Sequence, residues 1–140
     1  MDVEKPFDTK EEIFFDRKLK NVLRVPISKL NIYETNNFFS GIVIFKSEIT
    51  EWKKNQSEGL VSYVDVSDET SIIRCLMFNQ SCKNFHHLFE VGEEFLFAKG
   101  NLKFSNRQHS TLENDYEYLL HDDSIVTKFK EVRKKFKSYK

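Results

Sequence analysis

The stretch WKKNQSEGLVSYVDVSDETSIIRCLMFN, residues 52–79, decides the fold. A polar loop with one tryptophan precedes residues 60–67, whose β-branched and aromatic side chains indicate a strand. Residues 68–71, Asp-Glu-Thr-Ser, have the chemistry of a turn, and residues 72–79 indicate a second strand. The stretch therefore predicts a β-hairpin.

The second strand of this hairpin has two different faces. Ile73, Cys75 and Met77 share one face and are all apolar, so we expect that face to lie in the core. Arg74 and Phe78 share the other face. A cation and a ring on the outside of a sheet suit a single nucleic-acid strand, because phosphates pair with the cation and bases stack on the ring. Taken alone, the pair also fits a solvated charge and a ring under a neighbouring loop.

Length and composition limit the kind of protein. The chain has 140 residues, 39% of them hydrophobic, which is enough for one compact domain. It contains no apolar run of the ~18 residues that a membrane-spanning helix needs. The N-terminus is acidic and polar, unlike a secretory signal. Two cysteines, Cys75 and Cys82, favour a reducing compartment over a disulfide framework.

Charge is unevenly distributed along the chain. Residues 128–140 contain seven basic residues and one Glu, a balance of +6. Because the whole chain has a net charge of zero, residues 1–127 carry −6. Any nucleic-acid site must therefore be a local patch on an acidic body.

The order of the predicted elements indicates an OB fold, an all-β five-stranded Greek-key barrel with a short helix between strands three and four. Phe85, Leu88 and Phe89 are expected on one side of that helix. The predicted elements are a strand at 38–48, a polar loop at 49–59, the hairpin at 60–78, a helix at 80–90, and strands at 94–104 and 109–118. OB barrels bind oligonucleotides on their second and third strands and on the flanking loops.

The ends of the chain differ from this pattern. Residues 1–24 are predicted to be an N-terminal arm and residues 25–122 the OB domain. In residues 123–140, Ile125, Phe129, Val132 and Phe136 recur at spacings of four, three and four, which indicates a basic amphipathic C-terminal helix or linker. That apolar stripe must pack on the barrel, on a partner subunit or on a neighbouring OB domain.

About a hundred residues resemble the first single-stranded-DNA-binding OB domain of the replication protein A large subunit. The stretches that carry the resemblance are Val-Pro-Ile-Ser-Lys-Leu at 25–30, Trp52 with Glu-Gly at 58–59, Ile-Arg at 73–74, Phe-Asn at 78–79, Glu-Val at 90–91, Lys-Gly-Asn-Leu-Lys at 99–103 and Asn-Asp-Tyr-Glu at 114–117. The resemblance implies that bases stack on two aromatic positions, filled here by Phe78 and by His109, a smaller ring. It also implies phosphate contacts from basic residues, and the matching basic positions are Arg74, Lys103 and Arg107. Asn79, in the matching Phe-Asn pair, is a further candidate DNA-binding residue.

Several positions depart from the family. Residues at family basic positions are Thr50, Gln56, Leu60 and Glu113 in this chain. Each lost cation removes a phosphate contact and the counterion release that goes with it. We therefore expect weaker and less salt-sensitive binding than is typical of the family.

The remaining candidates have competing interpretations. Arg74 can contact DNA or form a surface ion pair with Asp65 or another acid. Trp52 can stack on a base or pin its own loop to the barrel, and the structural role is favoured. Lys53 and Lys54 are expected to contact phosphates.

Other chemistry is not indicated by the sequence. Cys82 and His86 have helical spacing, but no second pair completes a zinc site. No oriented third group supports a thiol nucleophile. We expect no metal, no cofactor and no enzymatic activity.

The sequence thus predicts a nuclear single-stranded-DNA-binding OB domain for replication, repair and recombination. Its expected partners are DNA and other OB domains or subunits of a replication protein A-like complex. Two alternatives stay open: a telomere-directed paralogue that prefers a G-rich strand, and an OB module used for protein–protein interaction.

Overall fold

A computed structural model describes residues 23–33, 37–106 and 112–128. Its strands are β1 (Leu23–Arg24), β2 (Asn37–Lys46), β3 (Thr50–Lys54), β4 (Ser57–Ser67), β5 (Ile72–Phe78), β6 (Glu94–Ala98), β7 (Asn101–Phe104), β8 (Tyr116–Leu119) and β9 (Ile125–Lys128). The helix α1 (Gln80–Phe85) runs into a 3-10 turn (His86–Leu88), and a second 3-10 turn spans Ile27–Lys29. Within these residues, no helix is long and apolar enough to cross a bilayer.

The strands form one strongly curled sheet. Its order is β7-β8-β5-β4-β2-β6-β9, with β1 paired to β2 and β3 paired to β4. β6 and β7 follow each other in the chain, separated by Lys99 and Gly100, so the sheet curls until these two strands adjoin. The helix lies between β5 and β6. This is the predicted order of three strands, a helix and two strands. Two bounds differ: the strand predicted at 38–48 ends at Lys46, and of the strand predicted at 109–118 the described part begins only at Tyr116.

The central hairpin is confirmed. β4 and β5 pair antiparallel from Val61–Phe78 to Ser67–Ile72 around the predicted turn. Ile73, Cys75 and Met77 are fully buried, as alternation requires. They pack in a core rich in phenylalanine, in which Phe39 and Phe97 stack with their centroids 5.0 Å apart.

The predicted polar loop at 49–59 is wrong, because most of it forms strands β3 and β4. Trp52 pairs with Gly59 in this second hairpin, and Asn55 sits at its tip with a φ of 58°. Asparagine tolerates this left-handed backbone better than most residues. The sequence does not indicate β3 as a strand because its side chains are mostly polar. They are polar because every residue of β3 except Trp52 is exposed.

The predicted strand at 94–104 is interrupted at Lys99 and Gly100. Lys99 has a φ of 61°, and the backbone N–H of Gly100 donates to the Tyr118 hydroxyl at 2.7 Å. A Cβ at Gly100 would lie 2.6 Å from the Tyr118 ring, so the break requires a glycine. The expected alternation also fails before the break, since residues 95–98 are all buried.

Two helix predictions need correction. Leu88 is 40% exposed, whereas Phe85 and Phe89 are buried as expected, because the chain tightens to a 3-10 turn after Phe85. Ile125–Lys128 form strand β9 along β6 and not the first turn of a C-terminal helix. Three consecutive β-branched residues, Ile125, Val126 and Thr127, favour that strand. The rest of the predicted helix, residues 129–140, lies outside the described residues, as does most of the predicted N-terminal arm.

Candidate nucleic-acid interface

Phe78 ends β5 on the outer face of the sheet. Phe78 is 38% exposed, whereas the residues of β5 that face the opposite side, Ile73, Cys75 and Met77, are fully buried. β5 is held between β4 and β8, so the ring stands on a strand with partners on both sides. A solvent-facing ring on a fixed strand is the arrangement that base stacking requires.

Four charged residues lie in one row across four strands of this face. Asp65 on β4 pairs with Arg74 on β5, Arg74 with Glu117 on β8, and Glu117 with Lys103 on β7. The signs alternate along the row. Both cations that the resemblance assigns to phosphates, Arg74 and Lys103, therefore have carboxylates as cross-strand neighbours.

Asp65 binds Arg74 through both of its oxygens. Arg74 Nε donates to Oδ1 at 2.8 Å and Nη2 donates to Oδ2 at 3.0 Å. The side chains are only 13% and 8% exposed. The hydrogen bonds to Asp65 raise the pKa of Arg74 above its usual value, against the opposing effect of burial. Of the two interpretations of Arg74, the ion pair with Asp65 is thus observed, and it is bidentate and largely buried.

The pairing of Lys103 is looser. Its Nζ lies 3.5 Å from Glu117 Oε1, and the lysine side chain is 45% exposed while that of Glu117 is 6% exposed. Among the described residues, Glu117 Oε1 accepts no hydrogen bond. Lys103 can therefore turn toward a phosphate more readily than Arg74 can, because its side chain is exposed and its ion pair is longer.

Trp52 has a structural position. Its ring lies over Gly59, where an added Cβ would come within 2.7 Å of Cζ2. Its Nε1 is buried and has no hydrogen-bond partner among the described residues. The favoured interpretation, in which Trp52 packs on its own hairpin, agrees with this geometry.

Asn79 also has structural contacts. Its Oδ1 accepts a hydrogen bond from the Leu60 backbone N–H at 3.0 Å, and its own N–H donates to the Leu60 carbonyl at 3.0 Å. Its carbonyl accepts from Cys82 at the start of α1. With a φ of 52°, it turns the chain from strand to helix directly after Phe78. Asn79 therefore fixes the strand end that presents the ring.

The other predicted site residues are distributed around this face. Lys53 and Lys54 are exposed on β3, in the hairpin that flanks the outer face. Arg107 and His109 lie outside the described residues. The described structure thus brings Phe78, Arg74 and Lys103 onto one face, with Trp52 and Asn79 supporting its edge.

Three further residues on this face were not predicted. Tyr63 lies under Arg74, whose guanidinium carbon is 3.9 Å from the centre of the Tyr63 ring. Phe45 adjoins Tyr63, and Glu117 completes the charged row. Alternation within β4 would have placed Tyr63 outside, but the pairing of Glu117 with Arg74 cannot be inferred from either strand alone.

Both cysteines have contacts inside the domain. Cys75 is buried, and Cys82 lies 3.2 Å from Ser62 Oγ and donates to the Met77 carbonyl at 3.3 Å. Within the described residues, no cluster of three metal-ligating side chains occurs.

The sheet has this strand order, a short helix follows β5, and the residues proposed to bind ligand lie on the outer face of β4 and β5. These features define an OB-fold domain. The sequence is 33% identical to the replication protein A 70 kDa DNA-binding subunit of Xenopus tropicalis and 35% identical to that of Danio rerio, each over 102 residues. The match covers 73% of this chain and 17% of each subunit, so the chain spans about a sixth of the relatives' length. No protein-family model matches the chain.

Solved structures agree with the sequence comparison. A chain of a replication protein A heterotrimer bound to single-stranded DNA matches with a TM-score of 0.71 and 25% identity, over 74% of this chain and 24% of that chain. The solution structure of DNA-binding domain A of Saccharomyces cerevisiae replication protein A matches with a TM-score of 0.63 and 24% identity, over 74% of this chain and 91% of that one. The predicted OB fold and the predicted resemblance are confirmed. The chain contains an OB domain of the replication protein A large-subunit type.

Proposed function

We propose that this domain binds single-stranded DNA and has no catalytic role. The observation that carries the proposal is the exposed Phe78 ring on the outer face of β5, in a strand whose alternate residues are fully buried. Every base has a flat face, so stacking on this ring gives affinity with little sequence preference.

The similarity to relatives supports the same function. The sequence relatives are DNA-binding subunits, and one structural relative is a heterotrimer bound to single-stranded DNA. On this basis His109 is the second stacking ring. Lys103, Arg107, Lys53 and Lys54 contact phosphates. Asn79 and Trp52 act by holding the strand end and the hairpin in place.

The charged row limits the electrostatic part of binding. Arg74 and Lys103 are each beside a carboxylate, so they neutralise phosphates less completely than isolated cations would. Fewer counterions then leave the DNA on binding. Stacking provides most of the affinity, and binding is modest and only weakly dependent on salt.

The decisive experiment measures the anisotropy of a labelled (dT)12 with wild type and with Phe78→Ala. Loss of the ring lowers affinity by about 1–3 kcal/mol. Leu88→Ala is a matched control, because Leu88 is 40% exposed and lies on the 3-10 turn that follows α1, outside the strands that form this face. Circular dichroism is used to check that both variants are folded. Equal affinity of wild type and Phe78→Ala would remove the proposal.

In the cell, this function belongs to replication, repair and recombination in the nucleus. Other OB domains or subunits of a replication protein A-like complex are its partners, with the predicted C-terminal segment at 123–140 as one contact. A telomere-directed paralogue would instead prefer a G-rich telomeric oligonucleotide over a random one in competition.

The neutralised cations favour one other candidate, an OB module that binds protein. Arg74 in particular is held by Asp65 in a bidentate ion pair, and its side chain is only 13% exposed. In that case the wild-type domain would bind no oligonucleotide even at low salt.

A further inference from the structure

A β-bulge in β2 turns Phe45 to the outside of the sheet. Val43 is fully buried and pairs with Val66, and regular alternation would point Phe45 inward as well. The register shifts between Val43 and Phe45, so Phe45 pairs with Asp65 and is 48% exposed. Bulges commonly re-aim a side chain beside a functional site. Exposing a phenylalanine forgoes its burial energy, which points to a use at the surface.

Tyr63 lies beside this ring. The centroids of Phe45 and Tyr63 are 5.7 Å apart and their planes are inclined by 33°. The two rings are therefore in contact across neighbouring strands β2 and β4, and the pair is here called the Phe45–Tyr63 platform.

The platform is held rigidly. The guanidinium of Arg74 lies over the Tyr63 ring at 3.9 Å, and Asp65 fixes that guanidinium with two hydrogen bonds. Asp65 is also the cross-strand partner of Phe45. A ring surface that is already fixed loses little conformational entropy when a ligand stacks on it.

The platform is continuous with the face that carries Phe78. Arg74 stands four residues before Phe78 on β5, and two strand spacings separate β5 from β2. In a flat sheet, this geometry puts the Phe45 and Phe78 Cα atoms about 16 Å apart. OB folds contact about 4–16 nucleotides of one strand, so a single strand can reach both rings.

We propose that the Phe45–Tyr63 platform is a further base-stacking site for the same DNA strand, in addition to Phe78 and His109. A base stacks on the exposed Phe45 ring, and the Arg74 guanidinium over Tyr63 offers an adjoining flat surface, since bases also stack on guanidinium planes. This inference rests on the proposed function and extends the bound strand from β5 across β4 to β2.

The test compares anisotropy with labelled (dT)12 for wild type, Phe45→Ala, Phe45→Trp and Leu88→Ala. Phe45→Ala is expected to lower affinity about 5- to 100-fold, the range for losing one stacked base. Phe45→Trp keeps a ring and stays within about twofold of wild type, because every aromatic side chain offers a stacking face. Leu88→Ala removes an apolar side chain that is 40% exposed, against 48% for Phe45, on the 3-10 turn after α1, and it is expected to leave affinity unchanged.

The outcomes separate this inference from the proposed function. Wild-type affinity in Phe45→Ala, with a loss in Phe78→Ala, overturns the platform alone and leaves Phe45 as a protein contact. Equal losses in Phe45→Ala and Phe45→Trp, with lower melting temperatures for both, overturn it in favour of a packing role. Absence of any wild-type binding overturns both proposals. Cross-linking a 5-iodouracil-substituted (dT)12 and finding the adduct at Phe45 or Tyr63 would support the platform directly.

Discussion

Asp65 and Arg74 lie opposite each other on β4 and β5 and share two hydrogen bonds, so the arginine on the proposed DNA face is already paired inside the domain. A phosphate at this position adds to an existing ion pair or replaces its carboxylate. In either case part of the positive charge of Arg74 is already balanced by Asp65, so fewer counterions are released from the DNA to solution. If the domain binds DNA as proposed, we expect Asp65 to control how Arg74 acts in that binding.

Asp65→Asn should tighten binding to (dT)12 at low salt and steepen its salt dependence. Removing the carboxylate charge lets Arg74 neutralise about one more phosphate, which adds about one ion to the slope of log K against log salt. Anisotropy titrations at several salt concentrations measure this slope. A weaker complex with an unchanged slope would show instead that Asp65 orients Arg74 for DNA. Thermal melting of the variant checks that it is folded.

Arg74→Ala should destabilise the domain as well as weaken binding. It leaves the carboxylate of Asp65, 8% exposed, without its bidentate partner. Breaking a buried pair from one side costs about 3 kcal/mol or more, whereas removing both charges costs much less. Urea unfolding of Arg74→Ala, Asp65→Ala and the double variant measures the coupling. Additive losses would contradict a strong ion pair.

Asp68 should make stability depend on pH. Burial acts to raise the pKa of its carboxyl, but hydrogen bonds from the Ile27 N–H at 2.8 Å and from Thr70 and Ser71 prevail and hold the pKa below its usual value. Because the folded-state pKa is the lower one, the stabilisation is present above the unfolded-state pKa. It is lost as pH falls through the folded-state pKa.

Asp68→Asn tests this dependence. At pH 7 the substitution should cost about 1–3 kcal/mol of unfolding free energy, because it removes a charged acceptor of several hydrogen bonds. The difference from wild type should shrink as the pH falls from about 5 to below about 3. Urea unfolding at both ends of this range gives the two values. A difference that stays constant with pH would contradict the role of the ionised carboxylate.

Gly100→Ala should destabilise the bend between β6 and β7 by steric overlap, without the backbone strain that a positive φ would add. The new Cβ would lie 2.6 Å from the Tyr118 ring and 2.7 Å from the Leu119 carbonyl oxygen, both of them packed in the sheet. Overpacking of this kind costs about 1–3 kcal/mol. Gly92→Ala is the opposite comparison, because its added Cβ meets nothing within 4 Å while its φ of +94° strains an alanine backbone, so any loss there comes from strain and not from contact. Equal unfolding free energies for Gly100→Ala and wild type would contradict the contact.

The parts of the fold that the sequence predicts are those encoded locally. The β4–β5 hairpin has alternation in β5 and turn chemistry between its strands, so its faces follow directly, and Phe78 is exposed as expected. Strand β3 escapes prediction because its stability comes from pairing with β4 and from Trp52 lying on Gly59, while its own side chains are mostly polar.

The charged row and the Phe45–Tyr63 platform depend on relationships between distant strands. Glu117 meets Arg74 only through the parallel pairing of β5 with β8. Phe45 reaches the outer face only because the bulge in β2 reverses its side, which alternation alone would have predicted wrongly. Register and bulges are set by tertiary packing, so they are not visible in any one segment.

Trp52 gives the domain an internal optical reporter. It is the chain's one tryptophan, its indole lies over Gly59, and Asn79 connects that hairpin to the strand end that presents Phe78. Its emission spectrum will therefore follow the opening of the β3–β4 hairpin without an added dye. In stopped-flow mixing, the same signal can time hairpin motion against ligand arrival.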